Sequence, residues 1–193
     1  MNERSSKLGG ARRQGGYTLL ELMVVLVLMG IAAALVIPNV RGSENIRIQT
    51  AVRAIASDIM YAQSDALAYQ ARRAVVFDPA SNDYWIAEVS SDELDFDTDA
   101  MYKIDGPDQR FLVDVDITSG GAAQIVSADF DGDEVLIFDE LGGPVAALDS
   151  DGPSAGGNIV VGGDDGTAYQ LAVEPYTGRV TVQRFGAVAG DDD

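Results

Sequence analysis

The sequence contains no cysteine and no histidine. Without cysteine the chain cannot form disulfides, thiolate zinc sites or a cysteine nucleophile, and without histidine it lacks the commonest general base. The sequence also has no phosphate-binding Gly-x-x-x-x-Gly-Lys loop. These absences argue against the commonest kinds of enzyme, so we expect a protein that acts without catalysis.

Basic residues are scarce: 13 lysines and arginines stand against 31 aspartates and glutamates, and the net charge is −18 at pH 7. Such a field repels nucleic acid phosphate, so DNA or RNA binding would need a local basic patch. We find no basic stripe, because Arg72-Arg73 and Arg179 with Arg184 are only pairs. We therefore expect no nucleic acid partner.

One long hydrophobic run is present, at residues 18–37. It holds twenty residues with a single charge, Glu21, and twelve of them are leucine, isoleucine or valine. As a helix it would be about 30 Å long, the thickness of the hydrocarbon core of a bilayer. An acid in such a segment is costly enough to indicate function and a cationic partner. We therefore predict a membrane-spanning helix over residues 17–38.

The residues around this run resemble a known processing signal. A short basic leader ends in Gly15-Gly16, the residues Tyr17-Thr18-Leu19-Leu20-Glu21 follow, and a long apolar helix containing Gly30 ends at Pro38. This arrangement resembles the class III signal of type IV pilins and type II secretion pseudopilins. In that family a prepilin peptidase cuts after the glycine and N-methylates the new first residue.

The resemblance implies specific roles for these residues. It implies cleavage between Gly16 and Tyr17, loss of a basic leader over residues 1–16, and N-methylation of Tyr17. It also implies that residues 17–38 assemble with other pseudopilins or pilins, with Glu21 and Pro38 as assembly residues. Glu21 would pair with the methylated amine of a neighbouring subunit. This pairing would offset the cost of burying one charge and would fix how the helices of the two subunits align.

Three other interpretations of the run are open. An ordinary secretory signal peptide would be cut near residues 32–34, where the small residues lie, but Glu21 is out of place in its apolar region. A plain single-pass anchor is the second interpretation. A buried helix of a soluble protein is the third, but no polar stripe interrupts residues 22–37.

A second helical pattern follows over residues 39–73. At its start, residues 39–43, we expect a bend or local melting, because Gly42 lies four residues after Pro38 and both residue types weaken a helix. Apolar residues then recur in steps of four and three, on one face of a helix: Ile48, Val52, Ile55, Ile59, Ala62, Ala66 and Tyr69. The opposite face is polar, with Arg53, Ser57, Asp58, Ser64 and Asp65. We predict an amphipathic helix packed on a sheet, with Arg72 and Arg73 complementing the dipole at its end.

The rest of the chain has the period of β-strands. We predict strands at residues 74–77, 84–89, 111–117, 124–128, 134–138, 158–161, 167–173 and 179–185, with an exposed acidic loop at 90–99. The predicted β-rich domain spans residues 74–188, and residues 189–193 form an acidic tail. A helix followed by many short strands predicts an α+β fold, in which a long N-terminal helix packs on antiparallel sheet.

Several of these segments resemble the H-type minor pseudopilins, also called the GspH/FimT group. They are the helix ending near an arginine pair, the strand leading into residues 77–79, the turn at 138–142 and the closing residues 173–180. The resemblance implies a structural subunit of the type II secretion pseudopilus that takes part in protein export. It places the chain in the inner membrane, with its domain in the periplasm, before assembly into a periplasmic fibre.

Two other functions are compatible with the same residues. A minor pilin of a type IV pilus, serving adhesion, motility or DNA uptake, would use the same N-terminal chemistry. A membrane-anchored β domain that binds calcium or sugar is the other. Neighbouring genes would separate secretion from a pilus, and calcium-dependent thermal stabilisation would favour the binding domain.

One acidic cluster has the spacing of a metal site. Asp129, Asp131, Asp133 and Glu140 occupy the first, third, fifth and twelfth places of an EF-hand calcium loop. The sixth place, which should be glycine, holds Glu134, and strands surround the loop instead of helices. These four acids are calcium candidates, weighed against a solvated acidic turn, and no other cofactor is expected.

Overall fold

A computed structural model of the chain describes residues 16–164 and 166–185, without the side chains of residues 34–43. The predicted leader before Gly16 and the predicted tail at residues 189–193 lie outside these described residues. The chain divides into two compact units, residues 1–40 and 41–193. Each unit is described separately.

One α-helix, α1 (Leu19–Tyr69), contributes residues to both units. The backbone is helical across residues 39–43, so the local melting expected there is wrong. A proline removes only one backbone hydrogen bond from a helix, and the strong helical pattern on both sides of this point prevails. α1 ends at Tyr69 because Gln70 adopts a left-handed conformation with φ of 50°, short of the arginine pair predicted to end it.

In its described residues the second unit is built from short strands, all of which the sequence predicts at least in part except the two-residue strand at 144–145. They are β1 (Arg73–Asp78), β2 (Asp83–Glu88), β3 (Leu112–Asp114), β4 (Gln124–Phe130), β5 (Val135–Phe138), β6 (Pro144–Val145), β7 (Gly157–Gly162), β8 (Ala168–Val173) and β9 (Val180–Phe185). Two short α-helices, α2 (Phe96–Asp99) and α3 (Val115–Ser119), and a 3-10 turn at Pro107–Gln109 lie between them. The fold is α+β, as the sequence predicts.

The strands form two antiparallel sheets. The first has the order β3-β2-β1-β5-β6 and the second the order β4-β7-β8-β9. β1 and β2 form the predicted hairpin, in register from Arg73 opposite Glu88 to Asp78 opposite Asp83. β8 and β9 form another, from Ala168 opposite Phe185 to Val173 opposite Val180.

The apolar face of α1 is buried against both sheets in one hydrophobic core. Six of the seven residues predicted on that face are buried, from Ile48 to Ala66, and they cluster with Phe77 and Leu136 of the first sheet and Leu171 of the second. Tyr69 is the exception, with 72% of its surface exposed, because it is the last residue of the helix.

The predicted strand at residues 111–117 is wrong over its second half. β3 ends at Asp114, and Val115 begins the short helix α3. Asp114 caps this helix, since its carboxylate accepts a hydrogen bond from the backbone N–H of Ile117 at 3.1 Å. Gly120, with φ of 62°, ends the helix. The alternating apolar and acidic residues therefore form the end of a strand and then a short capped helix.

Two acids of the predicted polar face of α1 lie partly inside the domain. Asp58 accepts a hydrogen bond from the buried hydroxyl of Tyr84 at 2.7 Å, and Asp65 pairs with the guanidinium Nε of buried Arg73 at 2.5 Å. Arg73 thus opens strand β1 and neutralises a helix acid, instead of extending past the helix end. Both contacts fix the helix to the first sheet.

Replacing Asp58 by asparagine should raise the melting temperature at neutral pH. Burial raises the pKa of Asp58, and this effect outweighs the opposing hydrogen bond from Tyr84 and the charge of Lys103. Because the folded-state pKa lies above the unfolded value, the charged form disfavours folding, and stability is lost as pH rises through the folded-state pKa. We expect Asp58→Asn to gain about 1–3 °C over the parent at pH 7.

This gain should shrink as pH falls towards the ordinary pKa of an aspartate, about 3.8. Asp92→Asn, at an exposed loop position, removes the same charge and controls for general repulsion. Thermal melts of the three proteins across that pH range test the prediction. A gain that is equal for both variants at every pH would contradict it.

Candidate processing and assembly segment

The N-terminal end of α1 is fixed by Thr18. The hydroxyl oxygen of Thr18 accepts a hydrogen bond from the backbone N–H of Glu21 at 3.2 Å, and its carbonyl oxygen accepts from the N–H of Leu22 at the same distance. Thr18 is therefore the N-cap of the helix. The sequence signal is Thr-x-x-Glu before an apolar run, a capping box, and our sequence analysis did not use it. The helix thus begins two residues after Tyr17.

Glu21 lies in the first turn of α1. A carboxylate there is favoured by the positive end of the helix dipole, by about 0.3–1 kcal/mol. Glu21 makes no ion pair with any of the residues that the structure describes. Its carboxylate therefore lies near the helix end, without a cationic partner among the described residues.

The apolar side chains that follow Glu21 are uncovered in the single chain. Every residue from Gly16 to Ala33 is exposed, although most are large and hydrophobic. Five of them share one face of the helix and line a shallow groove of about 270 Å³: Leu20, Met23, Val24, Val27 and Leu28. An added Cβ at Gly30 would meet no atom within 4 Å. An apolar surface of this extent requires lipid or other helices to cover it.

Two other predicted features of the segment have different outcomes. The backbone of Pro38 lies within α1, and its side chain is outside the described part of the chain. Among the described residues, no helix combines the length and the apolar character needed to cross a bilayer. The predicted membrane span at residues 17–38 is therefore not confirmed.

The four calcium candidates are not brought together. The described residues contain no group of three or more acids placed to hold a metal ion. Asp131 accepts from the Ser154 hydroxyl at 2.5 Å and from the Ala155 N–H at 3.0 Å, whereas Glu140 lies 3.5 Å from the guanidinium of Arg72. Asp129 closes its own turn by accepting from the N–H of Gly132, and Asp133 is exposed. Spacing along the chain misleads here because these acids serve separate local contacts.

Residues 152–156 read Gly-Pro-Ser-Ala-Gly, a match to the nucleophile elbow of serine hydrolases that our sequence analysis missed. The structure gives Ser154 a structural role instead. It is buried, donates to Asp131, and accepts from the N–H of Gly156 at 2.9 Å. The segment leads into strand β7 and not into a helix, and the sequence has no histidine to act as its base. The match therefore does not indicate catalysis.

Gln63 of α1 holds together the two C-terminal turns that resemble H-type pseudopilins. Its side-chain amide donates to the carbonyl oxygens of Gly142 at 2.7 Å and Thr177 at 2.8 Å. Gly142 also packs against Leu67, because an added Cβ would lie 2.8 Å from that side chain. A single glutamine on a helix gives no sequence signal of this role. Both turns are thereby positioned by the helix.

Comparison with protein families identifies the N-terminal segment. Residues 11–37 match the family described as the prokaryotic N-terminal methylation motif. The match contains the predicted cleavage site, Glu21 and the whole apolar run at residues 18–37. It therefore includes the capped N-terminal part of α1 described above.

Comparison with curated proteins gives matches that cover part of the chain. The type II secretion system core protein G of Aeromonas hydrophila is 61% identical over 33 residues, which are 17% of this chain and 23% of that protein. The protein of the same name from Pseudomonas aeruginosa is 38% identical over 79 residues, 37% of this chain and 56% of that protein. The chain thus spans between a quarter and about half of the length of these relatives.

Among solved structures, the minor pseudopilin EpsH from the type 2 secretion system of Vibrio cholerae aligns with a TM-score of 0.43 and 8% identity, over 69% of this chain and 92% of that one. Of these comparisons, the match to the methylation motif is the one that falls on the processing segment, at residues 11–37. Residues 11–37 of this chain therefore carry the prokaryotic N-terminal methylation motif.

Proposed function

We propose that this chain is a minor pseudopilin, a structural subunit of the type II secretion pseudopilus that takes part in protein export. The observation that carries the proposal is the methylation motif at residues 11–37, on a helix whose apolar surface is uncovered. The similarity of part of the chain to type II secretion core protein G supports the secretion system over other pilin-like assemblies. The segments that resemble the H-type group support the place among minor pseudopilins.

Processing prepares the segment for assembly. A prepilin peptidase cuts between Gly16 and Tyr17 and methylates the new amine of Tyr17. The cut places a positive charge directly before the N-cap Thr18, close to the exposed end of α1. The mature chain then has a cation and an acid, Glu21, at the same end of an apolar helix.

The pairing of these two charges between subunits fixes the axial alignment of their N-terminal helices. An unpaired acid within hydrocarbon costs about 3 kcal/mol near the centre of a bilayer and less towards its edge. A neighbouring amine removes that cost, and the cost returns if the helices shift along each other. Residues 17–38 are held in the inner membrane before assembly, with the second unit in the periplasm, and afterwards pack against the same segment of other pseudopilins.

The chain acts by assembly and not by turnover. The second unit presents surfaces to partner subunits, and its buried ion pair and core keep those surfaces fixed. Prepilin peptidase, other pseudopilins and the inner membrane are the partners. No nucleic acid is expected, given a net charge of −18.

Deletion of the gene in its own organism tests this function. We expect the exported enzymes of type II secretion to accumulate in the periplasm while pili, counted by electron microscopy, stay at the parental level. Complementation with the intact chain should restore export. Normal export combined with a loss of pili would instead assign the chain to the alternative, a minor pilin of a type IV pilus.

A further inference from the structure

A groove of about 660 Å³ lies between α1 and the last strand of the second sheet. Its helix wall includes Arg53, Ala56 and Met60, and its strand wall is formed by Val182 and Arg184 of β9. The floor is fixed, since the hydroxyl of Tyr169 donates to Asn45 at 2.7 Å and accepts from Gln49 at 3.0 Å. All of these residues belong to the second unit, so the groove is independent of the N-terminal segment.

Strand β9 is an open edge. Within the described residues it pairs only with β8, so the backbone groups of its other side are free to bond another strand. Proteins commonly protect such edges with charged side chains, especially lysine, with proline or with a β-bulge. β9 contains no lysine or proline, Arg184 is its one charged residue, and its register with β8 runs unbroken over six pairs. Val182 and Phe185 expose nearly half of their surface, 47% and 49%.

The charge of the groove is opposite to that of the molecule. Its lining contains two arginines, Arg53 and Arg184, and no acid. Neither arginine has an acidic partner among the described residues, although acids outnumber basic residues by 31 to 13 in the sequence. Arg72, Arg73, Arg110 and Arg179, by contrast, are all ion-paired. Arg53 and Arg184 lie beside the apolar side chains of Ala56, Met60 and Val182. This combination complements an acidic ligand that also has apolar side chains.

We propose that this groove binds an extended, acidic segment of a partner protein, which adds a strand to the edge of β9. The backbone of that segment bonds the free edge, its apolar side chains contact Ala56 and Val182, and its carboxylates pair with Arg53 and Arg184. An extended conformation follows from the open edge, and acidity follows from the unpaired arginines. The proposal does not depend on the assignment to type II secretion.

The test uses the full chain in detergent micelles and the capped peptide Val-Thr-Glu-Thr-Val-Thr-Glu, whose valines and glutamates share one face when extended. We expect binding with slowed hydrogen exchange of the β9 amides. A peptide with lysine in place of glutamate should bind at least about tenfold more weakly, as should one with proline in place of threonine, because proline cannot donate to the edge.

Variants of the chain separate the groove from general charge effects. Arg53→Gln and Arg184→Gln should each weaken peptide binding about two- to fivefold, as expected for exposed ion pairs. Arg110→Gln removes the same charge from a residue paired with Asp97 outside the groove, and should leave binding unchanged. Absent binding, equal binding of the lysine peptide, equal effects of all three variants, or binding without protection of β9 would each overturn the proposal.

Discussion

Replacing Glu21 by alanine is expected to leave processing intact and to reduce co-purification of partner pseudopilins at least about tenfold. Glu21 has no cationic partner among the described residues, so its removal breaks no ion pair among them. In the proposed fibre, however, this substitution would leave the methylated amine of a neighbouring subunit buried without its acid. Loss of one partner from a buried ion pair costs about 3–5 kcal/mol, more than a hundredfold in an equilibrium constant.

Matched variants make this prediction specific. Glu21→Gln keeps the size of the side chain and removes its charge, so it should fail like alanine. Glu44→Ala removes an acid from the part of α1 in the second unit and should assemble normally. Because the chain has no cysteine, a single cysteine introduced at Val24 can report helix contacts by cross-linking. Unchanged co-purification and cross-linking of both Glu21 variants would defeat the charge-pairing mechanism.

Replacing Arg73 by methionine should strongly lower the free energy of unfolding of the second unit. Arg73 is buried, and its Nε lies 2.5 Å from the carboxylate of Asp65, whose side chain is only 9% exposed. Methionine occupies similar volume but leaves Asp65 as an unpaired charge away from water. We expect a cost of about 3–5 kcal/mol, and a fall in melting temperature of about 6–15 °C.

Two comparisons test the cause of that loss. In the double variant Arg73→Met with Asp65→Leu, no charge is left buried, so most of the stability should return. Arg179→Met breaks a pair with Glu174 at the surface, where the arginine side chain is 69% exposed, and should change the stability far less than Arg73→Met. Urea unfolding followed by circular dichroism measures all four proteins. If Arg73→Met and Arg179→Met lower the free energy of unfolding equally, burial does not determine how much an ion pair contributes to stability.

The sequence predicts the helix and most strands because their signals are local. The period of apolar residues identifies the face of α1 from Ile48 to Ala66, and turn residues identify the hairpin of β1 and β2. It does not predict the roles of Asp65 and Gln63. Their partners, Arg73 and the carbonyls of Gly142 and Thr177, come from the sheet side of the fold, and a polar residue on a helix is compatible with either exposure or burial.

The candidate site divides in the same way. The predicted processing residues and Glu21 are contiguous, so their pattern is complete in the sequence, and all of them lie within the residues that match the methylation motif. The calcium loop fails because its acids are turned towards different neighbours, Ser154 for Asp131 and Arg72 for Glu140. The groove beside β9 has no sequence signal, because Arg53 and Arg184 are brought together only by the packing of the second sheet on α1.

The mass of the mature N-terminus tests the central claim most directly. The chain, expressed in its own organism and recovered from membranes, should yield an N-terminal peptide that begins at Tyr17 and carries one methyl group on its α-amine. The Gly16–Tyr17 bond should be absent from the mature population. A mature chain that begins at any other residue, or a Tyr17 amine without the methyl group, would contradict the account.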